Sequence, residues 1–350
     1  MKELNVLFLP PPEHLRYPWQ DDIVSAIGTR HHLSIYDSSL PMQSQFSSVD
    51  VVIDFGGSMG TDAMADVASS VSLWQVLGNG IDHFNLEYFR AKNIRVANCP
   101  GENTGIPLAE MAVMFMLQLA RGWHTAERNL RNDVMYAPIG SEIDGQTLGL
   151  VGFGATGRQL AQRASAFGMR VIAVDKRNVP RVEQRKYGVA QVRGPEALDD
   201  LLRESDFVSL HLHLTPETRH TINARRLALM KRGGFLINVS RGALIDEQAL
   251  YEALSAGHLG GAGLDVFTSE PPGGANPLIL LSNVVATPHI AGLTFGTSKR
   301  RAAFAAVNVD RIASGLEPLG LINTRGDIAV FSSLPDLTSL NKEPGDNPAG

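Results

Sequence analysis

Three short stretches each place a chemically able side chain just beyond an apolar run. They are Asn238-Val-Ser-Arg241-Gly-Ala, Gly263-Leu-Asp265-Val-Phe-Thr-Ser-Glu270-Pro-Pro and Ala286-Thr-Pro-His289-Ile-Ala-Gly292. An imidazole exchanges protons near neutral pH, so His289 suits a general acid or base. A carboxylate at Glu270, hydrogen-bonded to the far ring nitrogen, would fix the tautomer. The planar fork of Arg241 suits a carboxylate beside a carbonyl, and its charge would steady a developing oxyanion. Taken singly, each has a bland reading: a strand-end ion pair, a turn residue before prolines, a satisfied core histidine. Taken together, they describe proton transfer to a polarised carbonyl.

A fourth stretch, Leu148-Gly-Leu-Val-Gly152-Phe-Gly154-Ala-Thr-Gly157, has the G-x-G-x-x-G spacing. With 34 glycines in the chain, that spacing alone is weak. Its context is stronger. A strand-like run precedes it, a helical pattern follows, and Asp175 closes the next strand-like run about 20 residues further on. Gly152 then permits the tight turn, Gly154 lets backbone approach a pyrophosphate, and Gly157 lets helix and strand pack closely. The helix N-terminus offers N–H groups and a positive dipole end to the anion. A carboxylate at Asp175 accepts hydrogen bonds from ribose hydroxyls and repels a 2′-phosphate, which favours NAD over NADP. Lys176 and Arg177 would soften that preference.

The elements that must hold these groups alternate in type. Residues 5–9, 32–36, 49–54, 73–77 and 94–97 read as strands, with helical stretches such as 21–28 and 62–71 between them. A second series of strands covers 147–151, 170–174, 207–212, 235–239, 263–267 and 284–287, with helices at 156–167, 198–203 and 246–256. Such alternation predicts parallel sheets covered on both faces. Residues 106–130 read as one long helix, apolar on too many sides for a single stripe. Its Met111 to Leu119 portion needs cover, which suggests a homodimer. A last helix, 297–314, is expected to return to the first sheet. The loop 10–19, with Arg16, Tyr17 and Trp19, either gates a substrate or packs.

The totals agree with a soluble α/β protein. At 350 residues the chain suits two domains, and 44% hydrophobic with 19% charged residues excludes a disordered chain. A formal charge of −5 argues against nucleic acid as a partner. The basic clusters Lys176-Arg177 and Lys299 to Arg301 read as solvated helix or loop ends. One cysteine, Cys99, excludes an internal disulfide, fits a reducing compartment and reads as structural. His211 and His213 alternate on one face with His220 nearby, yet no cysteine and no clear second carboxylate accompanies them, so no metal is expected. The longest apolar stretch, 106–120, falls short of the roughly 20 residues of a membrane helix. Pro10 to Pro12 cut off the first apolar run, so no export signal is expected, and cytoplasm is the expected compartment.

From Gly78 to Pro318 the sequence resembles the D-isomer-specific 2-hydroxyacid dehydrogenase family. The match runs through Gly78-Asn-Gly-Ile-Asp-His, the glycine loop, Asn-Val-Ser-Arg-Gly, Gly-Leu-Asp-Val-Phe with Glu-Pro-Pro, and Thr-Pro-His-Ile-Ala-Gly, in that order. The resemblance implies two doubly wound parallel-sheet domains with a cleft between them. These are a flavodoxin-like substrate domain of residues 1–104 and 296–350, and a Rossmann NAD-binding domain of residues 105–295. It places the family's catalytic trio on Arg241, Glu270 and His289. Substrate is then held by Asn79, Gly80, Arg241 and His289. The cofactor is held by Gly152, Gly154, Ala155, Thr156, Gly157, Asp175, Leu212, His213, Val239, Ser240, Arg241, Asp265, His289 and Gly292.

The implied activity is NAD-dependent interconversion of a small 2-oxo acid and its D-2-hydroxy acid. Glyoxylate or hydroxypyruvate reductase and phosphoglycerate dehydrogenase are the nearest alternatives within the family. A corepressor-like NAD(H) sensor without turnover is the alternative outside enzymes. Three features bear on this. Position 213 usually holds proline, which puts the local cofactor contacts in doubt. The loop Asp54-Phe-Gly-Gly-Ser58 lacks the basic residue of phosphoglycerate dehydrogenases, and Glu270 replaces the glutamine of formate dehydrogenases. A small uncharged or apolar substituent on the acid is the expected consequence.

Overall fold

A computed structural model describes residues 2–56, 60–81 and 84–322. Asp82 and His83 of the Gly78 stretch, Gly57 and Ser58 of the Asp54 loop, and the tail from 323 lie outside the described residues. The chain divides into two compact units. One takes the chain to Asn103 and resumes at Thr294, and the other is Thr104–Leu293.

In the first unit five parallel strands stand in the order β2-β1-β3-β4-β5. They are β1 (Asn5–Leu9), β2 (His32–Ile35), β3 (Val51–Asp54), β4 (Leu73–Val76) and β5 (Arg95–Asn98). β3 and β4 are buried along their whole length, as a sheet covered on both faces requires. The helix Phe295–Ala313 lies in this unit against the helix Arg16–Ile27. Its Asn308 amide donates to the buried Gln75 side chain of β4 at 2.6 Å and to Leu319 O at 2.9 Å, so neither polar group is stranded. In the basic run 299–301 Lys299 is exposed, but the two arginines are not solvated ends. Arg300 Nε donates to Asn103 O at 3.0 Å, and the Arg301 guanidinium lies 5.5 Å over the Trp19 ring. Of the loop 10–19, Trp19 packs inward while Tyr17 stays exposed.

The second unit holds seven parallel strands in the order β12-β11-β10-β9-β6-β7-β8. They are β6 (Thr147–Val151), β7 (Arg170–Val174), β8 (Val189–Arg193), β9 (Phe207–Leu210), β10 (Phe235–Asn238), β11 (Gly261–Leu264) and β12 (Val284–Ala286). β8 has no counterpart among the expected strands. It is an edge strand that mixes Val189 and Val192 with Gln191 and Arg193, and only Val189 is buried.

The helix expected over 106–130 is two helices, Gly105–Ala120 and Trp123–Arg131. Gly122 between them takes φ +58°, a left-handed turn that stops the first helix. One face of Gly105–Ala120 is covered within its own unit. Ala109, Ala112, Phe115, Met116 and Leu119 join the core with Leu148, Leu150 and Ile237. Glycines in β11 make room for it: a Cβ at Gly263 would stand 2.5 Å from that of Phe115. Met111, Val113, Met114 and Leu117 on the same helix are only partly buried, so this unit covers the helix in part.

Candidate active site

The three reactive stretches leave three neighbouring strands, β10, β11 and β12, at the same carboxyl edge of the second sheet. Asn238 ends β10 and shapes the turn that follows. Its Nδ2 donates to Arg241 O at 2.8 Å, and its Oδ1 accepts from Ser240 N–H at 3.1 Å. Ser240 Oγ in turn donates to Leu210 O at 2.7 Å, and Arg241 Nη1 to Ser240 O at 2.8 Å. Gly242 is tightly confined. A Cβ there would fall 1.9 Å from the Phe267 carbonyl carbon, so the Arg241 turn packs directly on the backbone leading to Glu270.

Beyond β11, Glu270 Oε1 accepts from Phe267 N–H at 2.9 Å, and Oε2 meets His289 Nδ1 at 2.7 Å. Both side chains are accessible, His289 at 46% and Glu270 at 37%, so the imidazole is presented outward rather than sealed in. Partial burial alone would raise the Glu270 carboxyl. The His289 hydrogen bond, the Phe267 N–H and the nearby charges of His289 and Arg241 outweigh it, and the group titrates below its ordinary value. Glu270 is thus ionised and acceptor-only at neutral pH. It requires the proton on Nδ1, which leaves Nε2 as the exchanging atom.

His289 takes φ +56°, a conformation that costs a non-glycine residue energy. Asp265 holds it there. Its main-chain oxygen accepts from His289 N–H at 2.8 Å. Its carboxylate accepts from Ile290 N–H at 2.8 Å, Ala291 N–H at 2.9 Å and the Thr287 hydroxyl. Burial raises the Asp265 carboxyl, against the pull of those hydrogen bonds and of the His289 charge. Asp265, which the resemblance places at the cofactor, thus also shapes the histidine turn. Neither this tether nor the parts of Asn238 and Thr287 were anticipated. The spacing Asn-x-x-Arg was the available local signal for the first.

The glycine loop follows β6, where the strand order reverses between β9 and β7, a position at which such sheets bind ligands. Gly152 has φ +99°, and a Cβ there would lie 2.7 Å from His211 O. A Cβ on Gly157 would lie 2.5 Å from Gly152 O, so the helix Ala155–Ala166 starts tight against the loop. A Cβ on Gly154 would meet nothing within 4 Å, which leaves open space beside the backbone for a pyrophosphate. No side chain caps this helix, and its first N–H groups face that space. A dinucleotide therefore fits the residues present.

Asp175 Oδ2 accepts from Phe153 N–H at 2.7 Å, and Oδ1 from Arg177 N–H at 2.8 Å and Nε at 3.2 Å. The carboxylate thus joins the glycine loop and neutralises the arginine beside it.

Leu212 is partly buried beneath Gly152, and His213 is exposed. The imidazole of His211 is buried beside Gly157 with both nitrogens unpartnered, and burial pushes it down to about 3, so it is neutral. Among the described residues no group of three or more His, Cys, Asp or Glu could hold a metal ion. Cys99 is buried, which pushes its thiol up to about 12. In the first unit the loop after β4 is tied to β5: Asn98 Nδ2 donates to Asn79 O at 2.6 Å and Asn79 Nδ2 to Cys99 O at 3.3 Å. No helix among the described residues is long and apolar enough to cross a membrane.

Comparison with known proteins bears on the family. The sequence model described as D-isomer specific 2-hydroxyacid dehydrogenase, NAD binding domain, matches residues 113–291. A hydroxypyruvate reductase of Thermotoga maritima is 35% identical over 82% of this chain and 93% of its own length. A D-3-phosphoglycerate dehydrogenase of Methanocaldococcus jannaschii is 38% identical over 73% of this chain, which spans 49% of that relative. Among solved structures, a D-lactate dehydrogenase from Aquifex aeolicus, complexed with NAD and lactic acid, aligns with a TM-score of 0.77 at 28% identity. It covers 92% of this chain and 100% of its own.

The tether on the histidine turn generates a test. Asp265→Ala strands two N–H groups and a hydroxyl, at a cost of about 1–3 kcal/mol for each buried group. Denaturant unfolding of this variant is expected to show a loss of at least about 2 kcal/mol. A loss within about 0.5 kcal/mol would contradict the tether.

Proposed function

The chain belongs to the D-isomer-specific 2-hydroxyacid dehydrogenase family, and from that premise we propose that it interconverts a small 2-oxo acid and its D-2-hydroxy acid with NAD. The observation that carries this reading is the 2.7 Å contact of His289 Nδ1 with Glu270. Bound NADH supplies the hydride that adds to the carbonyl carbon. As the carbonyl electron pair moves onto oxygen, His289 gives the Nε2 proton to it, and in oxidation takes it back. Glu270 stabilises the doubly protonated ring before transfer and keeps the same tautomer after it. Arg241 holds the substrate carboxylate and carbonyl through paired donors. The first unit is the proposed substrate domain, with Asn79 and Gly80 as carboxylate contacts. The similarity to a hydroxypyruvate reductase supports a substrate of that size.

For the cofactor we propose a preference for NADH that rests on a paired Asp175. With Arg177 paired to Asp175, a 2′-phosphate meets a carboxylate, and Lys176 is the cation left to soften that preference. We also propose a homodimer, for which the partly buried Met111, Val113, Met114 and Leu117 offer one apolar surface and the segment after that helix a second. Trp123, Leu130, Tyr136 and Ile139 are large apolar side chains left exposed within 17 residues of chain, with Tyr136 and Ile139 at 97%.

Three outcomes are expected. His289→Ala lowers kcat/KM with a panel of 2-oxo acids by about 10²–10⁴ while the NADH dissociation constant stays within about threefold. Normal turnover in that variant removes the proton donor, and NADH binding without turnover in the unaltered protein favours a sensor. Asp175→Ala frees Arg177 and narrows the NADH over NADPH affinity ratio by about tenfold or more. An unaltered ratio would show the ribose contact to be misassigned. Light scattering should report twice the chain mass, whereas a monomer at micromolar concentration contradicts the dimer.

A further inference from the structure

The first sheet reverses its strand order between β1 and β3, and open α/β sheets bind ligands in the crevice beyond such a reversal. Two aromatic rings stand at that edge. Trp19, from the helix after β1, and Phe55, the residue after β3, meet edge to face at 5.1 Å. Trp19 is 3% exposed, which makes it a wall rather than a surface. Over it lies Arg301, near the start of the helix Phe295–Ala313, with its guanidinium 5.5 Å from the ring centroid.

This arginine is unlike others in the chain. Asp199 accepts from Arg225 and Arg226, and Glu204 from Arg193. Arg301 has no carboxylate and no hydrogen-bond acceptor among the described residues, and its Nε is sealed from solvent. The ionisable groups acting on it are the Arg300 guanidinium and the Cys99 thiol. Burial, together with Arg300, holds it down to about 10, so it remains a cation at neutral pH. A second buried donor without an acceptor, Asn103 Nδ2, lies on the segment that Arg300 holds through Asn103 O. One buried acceptor is also unpartnered on the Trp19 helix, Gln20 Oε1. A partly buried cation with no counter-ion is costly, and an arriving anion lowers that cost. The indole covers one face of the guanidinium, which leaves its edge for a planar, paired contact.

We infer that Arg301, backed by Trp19, is an oxyanion site of the first unit, and that it receives a second acid group on the 2-oxo acid. For the identity of the ligand this rests on the reductase reading given above. A carboxylate, sulfonate or phosphate shares the required chemistry, while an apolar substituent leaves the cation unpaired. The inference therefore departs from the small uncharged substituent expected from the sequence.

The test has two independent arms. NADH-dependent rates are measured with pyruvate, oxaloacetate, 3-sulfopyruvate and 3-phosphonooxypyruvate for the unaltered protein and Arg301→Met. At least one acid-bearing substrate is expected to exceed pyruvate in kcat/KM by about tenfold, and the variant is expected to abolish that ratio. A preference for pyruvate, or an equal loss on every acid, overturns the site. Second, cofactor-free protein is titrated calorimetrically with malonate as the probe. Binding that survives Arg241→Lys but is lost in Arg301→Met supports the site. Absent binding, or binding indifferent to Arg301, overturns it. If no 2-oxo acid is reduced, the reductase reading fails and this second arm still decides. Should Arg301→Met not fold by circular dichroism, Arg301→Lys takes its place, since an ammonium lacks the paired donors.

Discussion

A single hydrogen bond, from the Nδ1 edge of His289 to an ionised Glu270, governs what the second unit can do. An acceptor-only carboxylate on one side of the ring decides which nitrogen is free on the other. Without it the imidazole has two tautomers and a rotating side chain. With it, the ring has one outward-facing exchange atom at a fixed place on the sheet edge. The remaining features of that edge exist to keep the pair together. The Arg241 turn is pressed onto the Phe267 backbone, and Glu270 reaches back to the Phe267 N–H.

The same edge shows how a fold stores conformational cost where we propose that the chemistry occurs. His289 sits in a left-handed turn that it would not choose, and a buried aspartate overrides the preference with four hydrogen bonds from residues 287 to 291. Four strands away, past β9, the glycine loop meets a comparable demand by having no side chains. A Cβ would strike backbone at Gly152 and Gly157 and would fill open space at Gly154. Asp175 couples this loop to the strand beyond it, so the group that would face the ribose is also one that fixes the loop.

Much of this was legible from local pattern. The runs at 5–9, 147–151 and 170–174 have the same bounds as β1, β6 and β7, because buried parallel strands are nearly continuous apolar runs. The reactive trio was legible because each member follows such a run. What escaped was tertiary. β8 is half polar and reads as a strand only once β7 lies beside it. The break at Gly122 hides inside an apolar helical pattern that one glycine does not visibly end. Asp265 and Asn238 act through main-chain groups elsewhere in the fold, and their partners have no signature in spacing. Arg301 belongs to a run of three basic residues that looks solvated until the helix turns it onto Trp19.

The most direct measurement is the structure of this protein with NADH and oxamate, an unreactive mimic of a 2-oxo acid. The account predicts Nε2 of His289 within about 3 Å of the oxamate carbonyl oxygen, the distance proton transfer needs, with Glu270 still on Nδ1. A bound oxamate whose carbonyl oxygen faces another group, with the imidazole turned away or parted from Glu270, would contradict it.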